Sequence, residues 1–370
     1  MLTRTIAVAV AATTIAASAA CSPPEKESES SGSGAASATS AADLGGLDKL
    51  VEAAKAEGEL NVIALPPNWA NYGEIIKTFG DKYGIKVNSA QPDGSSQDEI
   101  NAANQLKGQG GAPDVFDLGA TVATANVAMF APYKTEKFAE VPDNLKDPNG
   151  AWVNDYGGYM SIGYDSAKVP APTSLDDLLK PEYKGKVALN GDPTQAGAAF
   201  GGVQMAAIAK GGSAEDIKPG VDFFGQLKKA GNLLPVDPSS TTIQSGQTPV
   251  VFDWDYLNAS EATKLTTWKT FVPQGAVLGS YYVQAINKDA PHPAAARLWQ
   301  EFLYSDEGQN LWLKGGARPV RAEAMEKAGT IDKAAFEALP KISGDPVIPT
   351  EEQNTKAKEY LSANWTKTVG

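Results

Sequence analysis

Short apolar runs alternate with helix-patterned stretches twice along this chain, and that alternation leaves few folds open. The first series begins at 47–57, where apolar residues recur near i, i+3 and i+4. It continues with a strand over 60–65, a loop over 66–72, a helix over 73–83, a strand from Lys86, a polar loop over 91–96, a helix over 98–107 and a strand over 114–118. A β-α-β-α-β order of this kind implies a largely parallel sheet with helices on both faces. The second series opens near Lys186, with a strand over 187–190, a helix over 196–210, a helix over 221–230, a short polar segment at 241–245 and a buried strand over 249–253. The chain after Gly46 exceeds what one core usually serves, so two lobes are expected. The expected fold is therefore α/β, each lobe a mostly parallel sheet flanked by helices. Lobe one is expected from 47–158 and 286–335, and lobe two from 165–280 and 336–370. Two hinge strands are expected at 158–165 and 280–288, which alternate apolar and polar residues and carry Gly and Tyr. Helices over 291–304 and 350–365 complete the pattern.

The N-terminus points to export. Arg4 is the only charged residue among the first twenty, and an uncharged run of Ala, Val, Ile and Thr follows it. That is the order of a signal peptide over 1–20, with Ser18-Ala19-Ala20 as the cleavage site. The run is shorter than the ~20 residues that span a bilayer. Cys21 is the only cysteine, so no intramolecular disulfide forms, and it stands where a lipobox cysteine would be acylated, although Ser18 replaces the usual Leu. Plain secretion is the alternative. Residues 21–46 are expected to be a lipidated cysteine and a flexible tether, since a Ser, Gly, Ala and Pro stretch without apolar periodicity cannot order itself.

Composition narrows the chemistry. A formal charge of −12 argues against nucleic acid and against adsorption to anionic lipid. His292 is the only histidine and sits at a helix start, which nearly excludes a His-based triad or a His-rich zinc site. No phosphate loop, GxGxxG or GxSxG occurs. No enzyme activity, cofactor or metal is expected. A carboxylate-pair hydrolase is the remaining enzyme alternative.

Ligands of open α/β sheets sit beyond the carboxyl ends of the strands, so the loops there are the candidate site. Asp253-Trp254-Asp255-Tyr256 is the strongest constellation, because carboxylates beside aromatic faces suit an amine or quaternary cation. The alternative reading puts Trp254 in the core and leaves the aspartates as caps. Asn68, Trp69 and Tyr72 form a second aromatic group on a polar loop. Ser95, Ser96 and Asp117 lie at neighbouring strand ends, and Tyr281 on the second hinge strand. Thr194 and Gln195 precede a helix, where free N–H groups would favour an anion or carbonyl.

Several motifs carry a family resemblance: Ala112-Pro113-Asp114-Val115-Phe116, Pro181-Glu182-Tyr183-Lys184-Gly185-Lys186-Val187, Ala290-Pro291-His292-Pro293, Tyr304-Ser305-Asp306-Glu307-Gly308-Gln309 and Ala317-Arg318-Pro319-Val320-Arg321. Over 58–365 the chain resembles the type-1 extracellular solute-binding lipoproteins of ABC importers, in the class of ferric-ion, thiamine, aminoethylphosphonate and polyamine binders. That resemblance implies a type II-like periplasmic-binding-protein fold, a monomer that closes on its solute, and delivery to an ABC permease. Ferric binders of the class carry adjacent tyrosines at the lobe-two strand exit; here Tyr256 is followed by Leu257, which cannot ligate metal. An organic cation, such as a polyamine or thiamine-like compound, is the favoured solute, with an aminophosphonate or ferric ion as alternatives.

Overall fold

The computed structural model describes residues 31–370. The expected signal peptide and Cys21 lie outside the described residues. Ten strands occur among the described residues: β1 (Glu59–Ile63), β2 (Lys86–Ala90), β3 (Val115–Gly119), β4 (Phe130–Ala131), β5 (Val153–Asp165), β6 (Val187–Leu189), β7 (Val250–Trp254), β8 (Trp268–Phe271), β9 (Gly279–Asn287) and β10 (Arg318–Pro319). The architecture is a two-lobe α/β fold.

The pairing corrects one expectation. Only β1–β2 and β6–β7 are parallel. The main sheet runs β3-β9-β5-β7-β6, and β5 is antiparallel to β7, β8, β9 and β10. Periodicity identifies an element but carries no information about the direction of its partner. β9 arrives from late in the chain and inserts antiparallel between β3 and β5.

β5 and β9 cover the two stretches expected as hinge strands, and nearly every residue of β5 is buried. A third connection joins them. The segment after helix Lys333–Ala338 runs past β9 to helix Glu351–Thr368, with Gly275 N donating to Ser343 O (2.9 Å) and Val347 N to Val277 O (2.8 Å).

Helix Gly197–Ala209 is apolar all round, so it is buried along most of its length. Helix Leu47–Glu57 instead turns Leu50 and Ala54 inward, against helix Pro293–Leu303.

The tether expectation fails for 31–46. Ser31–Ser37 is helical, and Ala35, Ala38 and Ala41 are buried. The segment does not order itself; the protein orders it. The fully buried Arg297 donates from Nε to Ala38 O and from Nη2 to Ala36 O, both at 2.8 Å.

Candidate ligand site

The loop between β1 and helix Tyr72–Tyr83 carries Trp69 toward lobe two. Ala70 (φ 45°) and Asn71 (φ 68°) both adopt the left-handed region, which costs energy in a residue with a Cβ. The turn is held from outside: Asn71 Nδ2 donates to Leu311 O (2.9 Å), and a Cβ on Gly315 would lie 2.7 Å from Asn71 Cβ. Trp69 thereby meets Tyr256 edge-on at 5.7 Å and Tyr282 at 6.0 Å, and donates from Nε1 to Tyr156 Oη at 2.8 Å.

Beside this contact lies a cavity of about 120 Å³. Lobe one contributes Asn68 and Trp69 to it; lobe two contributes Ser239, Ser240, Asp253, Glu261 and Lys264 among others. Asp253 is the penultimate residue of β7 and is half-buried. Its Oδ2 accepts from Asn190 Nδ2 (2.8 Å) and its Oδ1 from Trp254 N (2.8 Å). Burial pushes its pKa up to about 7, against those two hydrogen bonds, which lower it.

Trp254 and Asp255 serve the fold instead. Trp254 is buried beneath helix Gly197–Ala209, against Gly201. Asp255 is fully buried: Oδ1 accepts from Tyr159 N (3.0 Å), and Oδ2 from Arg318 Nη2 (3.2 Å) and Nε (3.3 Å). Burial pushes its pKa up to about 6, with Arg318 opposing. Arg318 also donates to Pro340 O (2.7 Å) and stacks on the Tyr159 ring at 4.5 Å. Gly158 permits this approach, since a Cβ there would lie 2.3 Å from Asp255 Oδ1. The expectation that Asp255 faces the cleft is therefore corrected: β7 turns directly into helix Asp255–Lys264, and the turn points Asp255 at β5 and Arg318.

Tyr72 and Asp117 form a second buried knot. Tyr72 Oη donates to Asp117 Oδ2 (2.8 Å) and accepts from Gln284 Nε2 (3.1 Å). Burial pushes Asp117 up to about 7, and it also raises its neighbours Glu99 and Asp155. Neither Tyr72 nor Asp117 lines the cavity, because both are used in joining β3 to helix Tyr72–Tyr83.

The remaining expected residues are also accounted for. Ser95 caps helix Ser96–Gln105 by accepting from Asp98 N (3.3 Å), and Ser96 Oγ accepts from Gly119 N (3.0 Å). Thr194 and Gln195 are exposed, and Thr194 Oγ1 donates to Asp192 (2.8 Å) rather than standing free at the helix start. Tyr281 pairs with Gly157 on the Tyr159 and Arg318 side. Its neighbour Tyr282 takes the opposite face, stacking on Tyr156 at 5.4 Å. Tyr282 and Tyr156 were not among the expected site residues, although the period-2 alternation of both hinge strands was the signal that separates such neighbours.

Comparison with known proteins agrees with this architecture. Residues 114–340 match the family described as bacterial extracellular solute-binding protein, and the chain belongs to that family. A Fe(3+)-binding periplasmic protein of Serratia marcescens is 31% identical over 131 residues, covering 32% of this chain and 37% of that relative. The chain thus matches about a third of the curated relative's length. Iron-bound HitA from Pseudomonas aeruginosa superposes with a TM-score of 0.61 at 21% identity, covering 84% of this chain and 99% of that one. The spermidine/putrescine substrate-binding protein PotD from Streptococcus pneumoniae gives 0.60 at 16% identity, covering 84% and 99%. At such identities these structures establish the fold alone. The family is one of extracytoplasmic binding proteins.

Proposed function

We propose that this protein is the capture component of an ABC importer, closing its lobes on a small organic cation and delivering it to a permease. One observation carries the cation reading: the Asp253 carboxylate and the Trp69 ring, from different lobes, wall the same cavity. Asp253 is held by a neutral amide and a backbone N–H, so its charge is not cancelled. An ammonium beside it gains a charge-assisted hydrogen bond, and the indole face adds the attraction of its quadrupole. Because the contacts come from both lobes, ligand binding favours the closed arrangement. Acylation of Cys21 would hold the domain at the outer face of the cell membrane.

Calorimetry with a panel of small amines and thiamine tests this reading. Saturable binding that weakens at least about tenfold in Asp253→Asn supports it; binding that is indifferent to Asp253 refutes it.

A ferric reading has its own observation. Tyr156, Tyr256 and Tyr282 pack around Trp69, with Tyr156 and Tyr256 at 6.0 Å. Among the described residues no three His, Cys, Asp or Glu side chains are placed to hold a metal, so iron would depend on these phenols. Burial holds all three well above the usual tyrosine range, and each proton would have to be displaced. Titration with ferric citrate separates the readings, since tyrosinate-bound iron absorbs visible light and an amine complex does not.

A further inference from the structure

We infer that Lys264 is a built-in competitor for the second cation position of this site, and that it selects solutes with one positive charge over those with two. The inference rests on the cation reading above and concerns which cations are taken.

Glu261 is the second carboxylate of the cavity wall, and a cation already occupies it. Lys264 Nζ donates to Glu261 Oε1 at 2.8 Å and to Ser240 Oγ at 3.2 Å. Ser240 Oγ in turn donates to Glu261 Oε2 at 2.9 Å, so both carboxylate oxygens are engaged. The Glu261 side chain is 13% exposed and that of Lys264 35%. An i,i+3 pair on a helix usually decorates a solvated face. This one differs in two respects. The ammonium reaches across to a second helix, Ser240–Ser245, and both side chains wall the cavity that holds Asp253. Asp253 and Glu261 wall one cavity of about 120 Å³, so a small molecule held there faces both carboxylates.

The chemistry follows from this arrangement. A monoamine needs only Asp253 and leaves the Lys264–Glu261 pair intact. A diamine would place its second ammonium at Glu261, and there it meets Lys264. It must either displace that ammonium or sit beside a like charge. Specificity is a difference of affinities, and an occupied subsite lowers the affinity of one ligand class without touching the other.

Lys264→Met keeps the length of the side chain and removes its charge. Calorimetry would compare butane-1,4-diamine with butan-1-amine on the wild-type protein, on Lys264→Met and on Lys264→Met/Glu261→Gln. The expected result is that the diamine-to-monoamine affinity ratio rises on the order of tenfold in Lys264→Met, the scale of one charge-assisted hydrogen bond. The gain disappears in the double variant, and both variants melt near the wild-type temperature. If the amines bind but the ratio is unchanged in Lys264→Met, the competitor role is overturned and the cation reading stands. If neither amine binds any of the three proteins, the cation reading fails as well.

Discussion

Asp253 and Asp255 stand two residues apart, are both raised by burial, and come to opposite ends. Asp255 meets Tyr159 N and Arg318, which itself reaches Pro340 O on the third connection, and its charge is spent on that guanidinium. Asp253 meets only Asn190 and a backbone N–H, and its charge is left facing a cavity. The lesson is that a buried carboxylate is read by the charge of its partner. One paired with a guanidinium is structural, while one paired with a neutral amide still has attraction to offer a ligand. The two aromatics of the tetrad divide in the same way: Tyr256 reaches Trp69 across the lobes, and Trp254 fills the core.

That contrast is open to attack in four ways. Removing the guanidinium in Arg318→Met should have the largest effect, since it strands Asp255 as an uncompensated buried charge. Breaking such a pair costs about 3–5 kcal/mol, readable by urea unfolding. A variant that unfolds like wild type would put Asp255 on the same footing as Asp253. Next, Asp253→Asn should keep the unfolding midpoint and weaken amine binding by ~30-fold, the loss of a charge-assisted hydrogen bond.

The third prediction is a pH dependence. Cation binding needs the carboxylate, whose pKa in the ligand-free fold is about 7, raised from 3.8. Amine affinity should therefore fall as pH drops through 7, by about tenfold per unit below it, and stay flat in Asp253→Asn. The stability contribution of the same group runs the other way. It is fully present below the unfolded carboxylate range and is lost as pH rises through about 7, until a cation restores it. The smallest effect is expected for Trp69→Phe. It loses the hydrogen bond to Tyr156 but keeps a ring against Tyr256, so affinity should fall about fivefold. An unchanged affinity would mean that the closed contact is not part of binding.

Much of the fold was legible because periodicity reports burial. The helix over 47–57 needed only its apolar spacing, and the strands at 153–165 and 279–287 were marked by alternation. Sheet direction was not legible, because β9 pairs with β3 and β5 across long stretches of intervening sequence. Nor was the order of 31–46, which depends on one arginine far along the chain. At the candidate site, residue type and loop position point to Asn68, Trp69 and Asp253, and these are the three expected residues that line the cavity. Asp255 was misplaced because a strand exit does not reveal that the next residue starts a helix. Alternation separates Tyr281 from Tyr282, but which of them turns toward Trp69 cannot be chosen until one partner is fixed. Lys264 and Glu261 drew no notice, since an i,i+3 pair in a polar helix reads as ordinary surface.

The dependence of 31–57 on Pro293–Leu303 has a consequence for how the molecule is made. Arg297 holds the carbonyls of Ala36 and Ala38, and the Glu57 carboxylate accepts from Ala294 N (3.0 Å) and Ala295 N (2.8 Å). This segment must therefore wait for one synthesised some 240 residues later. At ~5–20 residues per second that interval is tens of seconds, during which Leu50 and Ala54 stay uncovered. The docking of 31–57 is thus a long-range closure, completed only once Pro293–Leu303 is present.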